Sequence, residues 1–192
     1  IKLALNMASI PTSWQAAWDN SYVGRQARLM FWHSPKAWGK MFVESHRALA
    51  SEGTSLLIDD GIVAHPEFPR AQQAKLEYTS IRKDSPYAKT DEMATYFRLG
   101  EDIPVIGKAL RWFDRAFTTA GNVLRHDAFY RMAEAKGDSW TPKQYEDYAS
   151  MLNIFTKRGE LGRAKQLQPY LNAFMISSRN VAADWQLPLT AL

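Results

Sequence analysis

Apolar positions fall at helical rather than strand spacing along most of this chain, and the longest uninterrupted stretch of that kind runs from Ile103 to Lys136. Ile106, Leu110, Phe113, Phe117, Ala120 and Leu124 recur at alternating steps of four and three, which places them along one side of a helix. Pro104 suits the first turn, where its missing N–H is no loss, and Gly137 closes the run. At ~1.5 Å per residue such a helix is about 50 Å long and spans a small domain. Beyond Leu124 the line shifts, because Asp127 and Arg131 take the next positions in register and Ala128, Met132 and Ala135 continue the apolar side.

Shorter segments flank this one. Arg25 to Trp32 is a first helix ending at Ser34-Pro35, a cap followed by a first-turn proline, and the helix beginning there sets Trp38, Met41, Phe42, Ser45, Ala48 and Leu49 on one face. Ser55 to Ala64 fits a helix or a buried strand, and helix is preferred; His65-Pro66 breaks it, and Phe68 to Tyr78 reads as another helix with Pro69 in its first turn. Ser80 to Thr90 is a polar loop, and Asp91 to Leu99 a short helix. After Gly137, Thr141-Pro142 repeats the cap and proline pairing before a stripe of Tyr145, Tyr148, Ala149, Leu152 and Phe155; Leu167 to Met175 resumes the period. The fold expected is all-α, an irregular multi-helix bundle around one long central helix at about 103–136. The division is an N-terminal arm over 1–24, a helical domain over 25–184 and a tail over 185–192.

Composition narrows the chemistry. The 192 residues suffice for one core, and seven Trp, eight Tyr and nine Phe make the chain aromatic-rich, which suits packing of irregular helices or a large contact surface. The net charge of +4 is spread among alternating acids and bases, so it is a weak pointer to nucleic acid. No cysteine is present, which removes disulfides and thiolate metal sites. No run of about 20 apolar residues occurs to span a bilayer. Ile1 in first place, with no signal-peptide pattern behind it, reads as a fragment or processed piece of a longer chain.

Three groups of residues are candidates for contact. Arg111, Asp114, Arg115, Thr118, Asn122 and Arg125 fall opposite the apolar seam of the long helix and read as an interaction stripe for phosphates or a partner's carboxylates. The alternative is a solvated face, or a polar network that docks a neighbouring helix and fixes its register. Lys157, Arg158, Arg163 and Lys165 surround Gly159 and Gly162 and read as a basic loop touching DNA or a membrane phosphate, or as basic side chains complementing a helix C-terminus that Gly159 caps, which is preferred. Trp14, Trp18, Phe31, Trp32 and Trp38 lie among Arg25, Arg28, Lys36 and Lys40 and read as core, protein interface or membrane contact.

Catalysis is not expected of this segment. His33, His46, His65 and His126 have no paired metal-ligand spacing, so neither a metal nor a cofactor is expected. Glu44-Ser45 resembles the glutamate-serine pair of lytic transglycosylases, but the rest of that pattern is missing.

Taken together, Asp114-Arg115-Ala116-Phe117-Thr118-Thr119, then Asn122, Leu124-Arg125 and Asp127-Ala128-Phe129 resemble the signature helix of the large polyvalent-protein-associated domain of giant tailed-phage proteins. His33-Ser34-Pro35-Lys36-Ala37-Trp38 and Ile103-Pro104 with Gly107-Lys108 are similar to that family upstream, and Thr156 to Gly162 with Leu171-Asn172-Ala173-Phe174 downstream. The resemblance covers Gln26 to Asp184 and departs at Phe174 to Arg179, which has no proline, and in the polar loop. It implies a structural or docking domain of a phage internal virion (DNA-ejection) protein, including the virion RNA polymerase type of short-tailed phages. Such a protein is packed inside the phage head and delivered with the genome toward the host envelope or cytoplasm. Its implied partners are other virion proteins or copies of itself. The competing reading is a nucleic-acid-binding helical module that meets DNA phosphates through the stripe or the 157–165 loop.

Overall fold

The computed structural model describes residues 27–82, 85, 104–156, 158 and 185–186, with the backbone alone for 104–110. These residues are all-α: α1 (Arg28–His33), α2 (Pro35–Ala50), α3 (Glu52–Val63), α4 (Phe68–Gln73), α5 (Pro104–Lys136) and α6 (Pro142–Phe155), with a 3-10 turn (Gly137–Ser139) between the last two. The helices expected over Asp91 to Leu99 and Leu167 to Met175, the arm over 1–24, and Trp14 and Trp18 lie outside the described residues.

α5 is the central helix, and local punctuation explains its bounds. It starts at Pro104 and ends where Gly137 takes a φ of +49°, a conformation that suits a residue without Cβ. α6 then returns beside it. Thr141 and Gln144 form a reciprocal capping box at its start, with Pro142 in the first turn. The Tyr145 hydroxyl donates to the Gly137 carbonyl at 2.7 Å, and at the far end Arg125 reaches Thr156, so the two helices run antiparallel.

α2 makes the most extensive contact with α5 among the described elements. Lys40 meets Asp127 near one end of the pair and Arg115 meets the Ala48 carbonyl near the other, so these helices are also antiparallel. The buried line of α2 is Ala37, Met41, Ser45 and Ala48. Trp38 is only half-buried and Phe42 is exposed, so the line is rotated from the expected aromatic one. Small side chains let α2 lie close to α5, and the bulky rings are left at its outer edge.

Two boundaries differ from the sequence reading. Ser34 makes no capping bond, whereas Ser51 caps α3 by accepting the Thr54 N–H at 3.3 Å, so that helix begins at Glu52. α4 stops at Gln73 instead of continuing to Tyr78. Lys75 adopts φ 62°, the Leu76 N–H bonds back to the Ala71 carbonyl at 2.9 Å and the Lys75 N–H to Gln72 at 3.0 Å. That is a Schellman ending with lysine in the place that glycine usually fills. From Leu76 the chain is extended to Thr79.

Candidate functional site

The expected outer stripe of α5 lies inside the molecule. Arg125 (0% exposed), Asn122, Thr118, Asp114 and Arg115 are all buried, and of the six stripe residues Arg111 alone is exposed. From Asp114 to Tyr130 every position of α5 is buried except Phe117, which is half-buried. A helix with one wet face cannot look like this. The correction has a physical cause: α2 covers one side of α5, and the extended segment 76–80 with α4 and α6 covers the side that periodicity assigned to solvent.

Two of the stripe residues, Asn122 and Arg125, bind that extended segment. The Asn122 Oδ1 accepts the Thr79 N–H at 3.3 Å, and its Nδ2 donates to the Thr79 carbonyl at 2.7 Å. Arg125 donates to the Glu77 carbonyl at 2.9 Å, to the Thr156 hydroxyl at 3.2 Å and to the Asn122 Oδ1 at 3.2 Å. A fully buried guanidinium is stable only where its donors are met, and here backbone, hydroxyl and amide oxygens meet them. Arg115 lies at the end of α2, donating to the Ala48 carbonyl at 3.4 Å, where a cation complements the helix dipole. The polar network that fixes the register of a neighbour is thus the reading that fits, and the neighbour is an extended strap rather than a helix.

Sequence reasoning missed the strap's other anchors. Asn153 of α6 accepts the Glu77 N–H at 3.0 Å and donates to the Lys75 carbonyl at 3.1 Å. On α3, Asp59 accepts the Ser80 hydroxyl at 2.8 Å, and Asp60 is clasped by both Nε and Nη2 of Arg82 at 2.6 to 3.1 Å. Burial raises the Asp59 pKa, opposed by hydrogen bonds from Tyr78 and Ser80. The signal available was Ser55, Asp59 and Ile62, one buried row of α3 with a carboxylate in its middle.

A cavity of about 410 Å³ opens between α2, α3 and α5, walled by Ile58, Ile62, Val123 and Tyr130 and rimmed by Lys40, Arg131 and Glu134. Its central charges are mutually satisfied: Lys40 and Arg131 both bind Asp127, at 2.7 and 2.6 Å. Glu44 lies at its edge, with both carboxylate oxygens held by Arg47 at 3.1 Å, while the Ser45 hydroxyl donates to the Phe42 carbonyl.

The histidines stay apart as ligands, and among the described residues no group of three or more His, Asp or Glu could hold a metal ion. His126 is fully buried, and burial followed by the nearby Arg125 charge pushes its pKa down to about 3. It is therefore neutral, and its Nδ1–H donates to the Asn122 carbonyl at 3.0 Å. His65 stacks on Tyr130 at 3.9 Å, and His33 contacts the Tyr148 hydroxyl at 3.2 Å, with burial lowering its pKa.

In the basic loop, Arg158 is half-buried and its N–H bonds to the Asn153 carbonyl at 2.7 Å. Lys157, Arg163 and Lys165 lie outside the described residues. The aromatic residues of α1 and α2 split between roles, with Trp38 half-buried against the core and Phe31 and Trp32 exposed.

No protein-family model, curated protein or solved structure matches this chain.

Proposed function

We propose that this chain is a non-catalytic structural domain of a bacteriophage internal virion protein, carried in the capsid and delivered with the genome. The observation that carries the reading is where the resembling residues lie. Asp114 to Thr119, Asn122, Leu124-Arg125 and Asp127 to Phe129 form the most enclosed part of α5, and Arg115, Asn122, Arg125 and Asp127 bind the chain's own backbone and neighbouring helices. A signature committed to internal architecture suits a scaffold more than a reaction centre. Partners on this reading are other virion proteins or copies of the chain, met through its remaining surface.

The nucleic-acid reading draws less support. With Arg115 and Arg125 buried, two of the three guanidiniums of the stripe are out of a phosphate's reach unless the fold opens. The test is mass spectrometry of purified particles from the phage or prophage that encodes the chain. The parent protein is expected in washed full particles and depleted from particles that have ejected their DNA; its absence from full particles overturns the assignment. Salt-titrated DNA binding separates the alternative, since contact with phosphates predicts an affinity that falls steeply with salt.

A further inference from the structure

α1 and α2 present a continuous row of rings outward. Trp32 is 83% exposed, Phe31 44% and Phe42 43%, with Val43 beside them at 55%. Centroid separations are 5.1 Å from Trp32 to Phe31, 5.3 Å from Phe31 to Trp38, 5.7 Å from Trp38 to Phe42 and 4.5 Å from Phe42 to His46. Single exposed apolar side chains are ordinary on any protein, but contiguous ones mark a surface that meets something.

Charge states what kind of surface. Of the four cations on these two helices, Lys40 is bound to Asp127 of α5 and Arg47 to Glu44, the one acid of the pair, which leaves Arg28 and Lys36. Arg28 and Lys36 are exposed and meet no acidic side chain among the described residues. Exposed cations at Arg28 and Lys36, on the helices that carry the exposed Trp, Phe and Val, match a layer that is anionic outside and apolar beneath.

We propose that the α1–α2 face docks on an anionic phospholipid surface, lying in the headgroup plane. The contact is peripheral, since no helix among the described residues is long and apolar enough to cross a membrane. It needs no rearrangement, because the other side of α2, through Ala37, Met41, Ser45 and Ala48, stays packed in the core. Ring geometry favours lipid over nucleobases. Trp38 and Phe42 already stack on each other at 16°, which takes one face of each ring away from a base. Val43, which offers nothing to a base, suits acyl chains.

The experiment is cosedimentation of the chain with vesicles of phosphatidylcholine containing phosphatidylglycerol, against phosphatidylcholine alone. Binding is expected to the anionic vesicles, to weaken with salt, and to drop about fivefold for each of Arg28→Gln and Lys36→Gln. Trp32→Ser is expected to lower it on the order of tenfold, while the thermal midpoint stays unchanged because that ring is exposed. No binding to anionic vesicles, equal binding to neutral ones, or full binding by the Trp32→Ser chain each overturn the proposal. So does Trp32→Ser abolishing oligothymidylate binding or self-association while vesicle binding persists, which assigns the face to nucleic acid or to a second copy. Failure here leaves detection of the parent protein in particles untouched, so the two readings fall separately.

Discussion

Asn122 holds Thr79 by both of its backbone groups, accepting the N–H at 3.3 Å and donating to the carbonyl at 2.7 Å. This is the pair of hydrogen bonds that one strand gives another in an antiparallel ladder, supplied by a side chain on a helix. Asn153 repeats the device from α6 on Lys75 and Glu77. Buried backbone N–H and carbonyl groups need partners, and these two amides supply them to the strap. Asn122→Leu keeps the branched shape of the side chain and removes both of these hydrogen bonds, together with the one that Arg125 donates to the amide oxygen. Urea denaturation should show a loss of about 2 to 4 kcal/mol; an unchanged midpoint would mean that this amide does not hold the strap.

Much of the helical frame was legible because its signals are local. Pro104, Ser34-Pro35 and Thr141-Pro142 punctuate the chain where α5, α2 and α6 begin, whatever packs on them later. The stripe on α5 was assigned to the wrong environment for the opposite reason. Periodicity predicts which side of a helix is polar, but not whether an extended segment with no period of its own will cover that side. Arg125 and Asn122 look the same in sequence whether they meet water or the Glu77 and Thr79 backbone.

The end of α4 was illegible because a lysine occupies the left-handed position. A Cβ in that conformation costs about 1 kcal/mol, which glycine avoids. Lys75→Gly should therefore raise stability by about 0.5 to 1 kcal/mol, since the exposed Lys75–Glu146 ion pair that it removes is screened by solvent. Thermal or urea unfolding reads the sign directly. A loss would mean that the Schellman turn is not the conformation held in solution.

His126 makes the fold acid-sensitive. Its pKa falls from 6.5 in the open chain to about 3 when folded, so its contribution is complete above pH 6.5 and is lost as pH drops toward 3. That difference corresponds to stability on the order of 5 kcal/mol. Asp59 acts in the other direction: its folded pKa is raised, so its contribution is present below 3.8 and lost as pH rises through the folded value. Denaturation at a series of pH values should show the acid-side decline dominating, because His126 is the more enclosed group. His126→Gln should flatten the slope between pH 6.5 and 3; an equally steep decline in that variant would assign it to other groups.

Two phenylalanines on α5 test which side of the helix carries the core. Phe117 belongs to the apolar line that runs to Leu124, yet it is half-buried, whereas Phe129 lies off that line and is 0% exposed, with Tyr145 and Tyr148 rings 5.7 and 6.3 Å away. The difference follows from the change of neighbours along the helix, since α6 covers the stretch that Phe129 occupies. Truncating an enclosed ring loses its transfer energy and leaves a cavity that a rigid helix pair cannot close. Phe129→Ala should cost about 3 to 5 kcal/mol. Phe117→Ala, with part of its ring already in water, should cost about 1 to 2 kcal/mol. Equal losses in urea denaturation would put both rings in one core, and a larger loss at Phe117 would return the core to the side that periodicity alone selects.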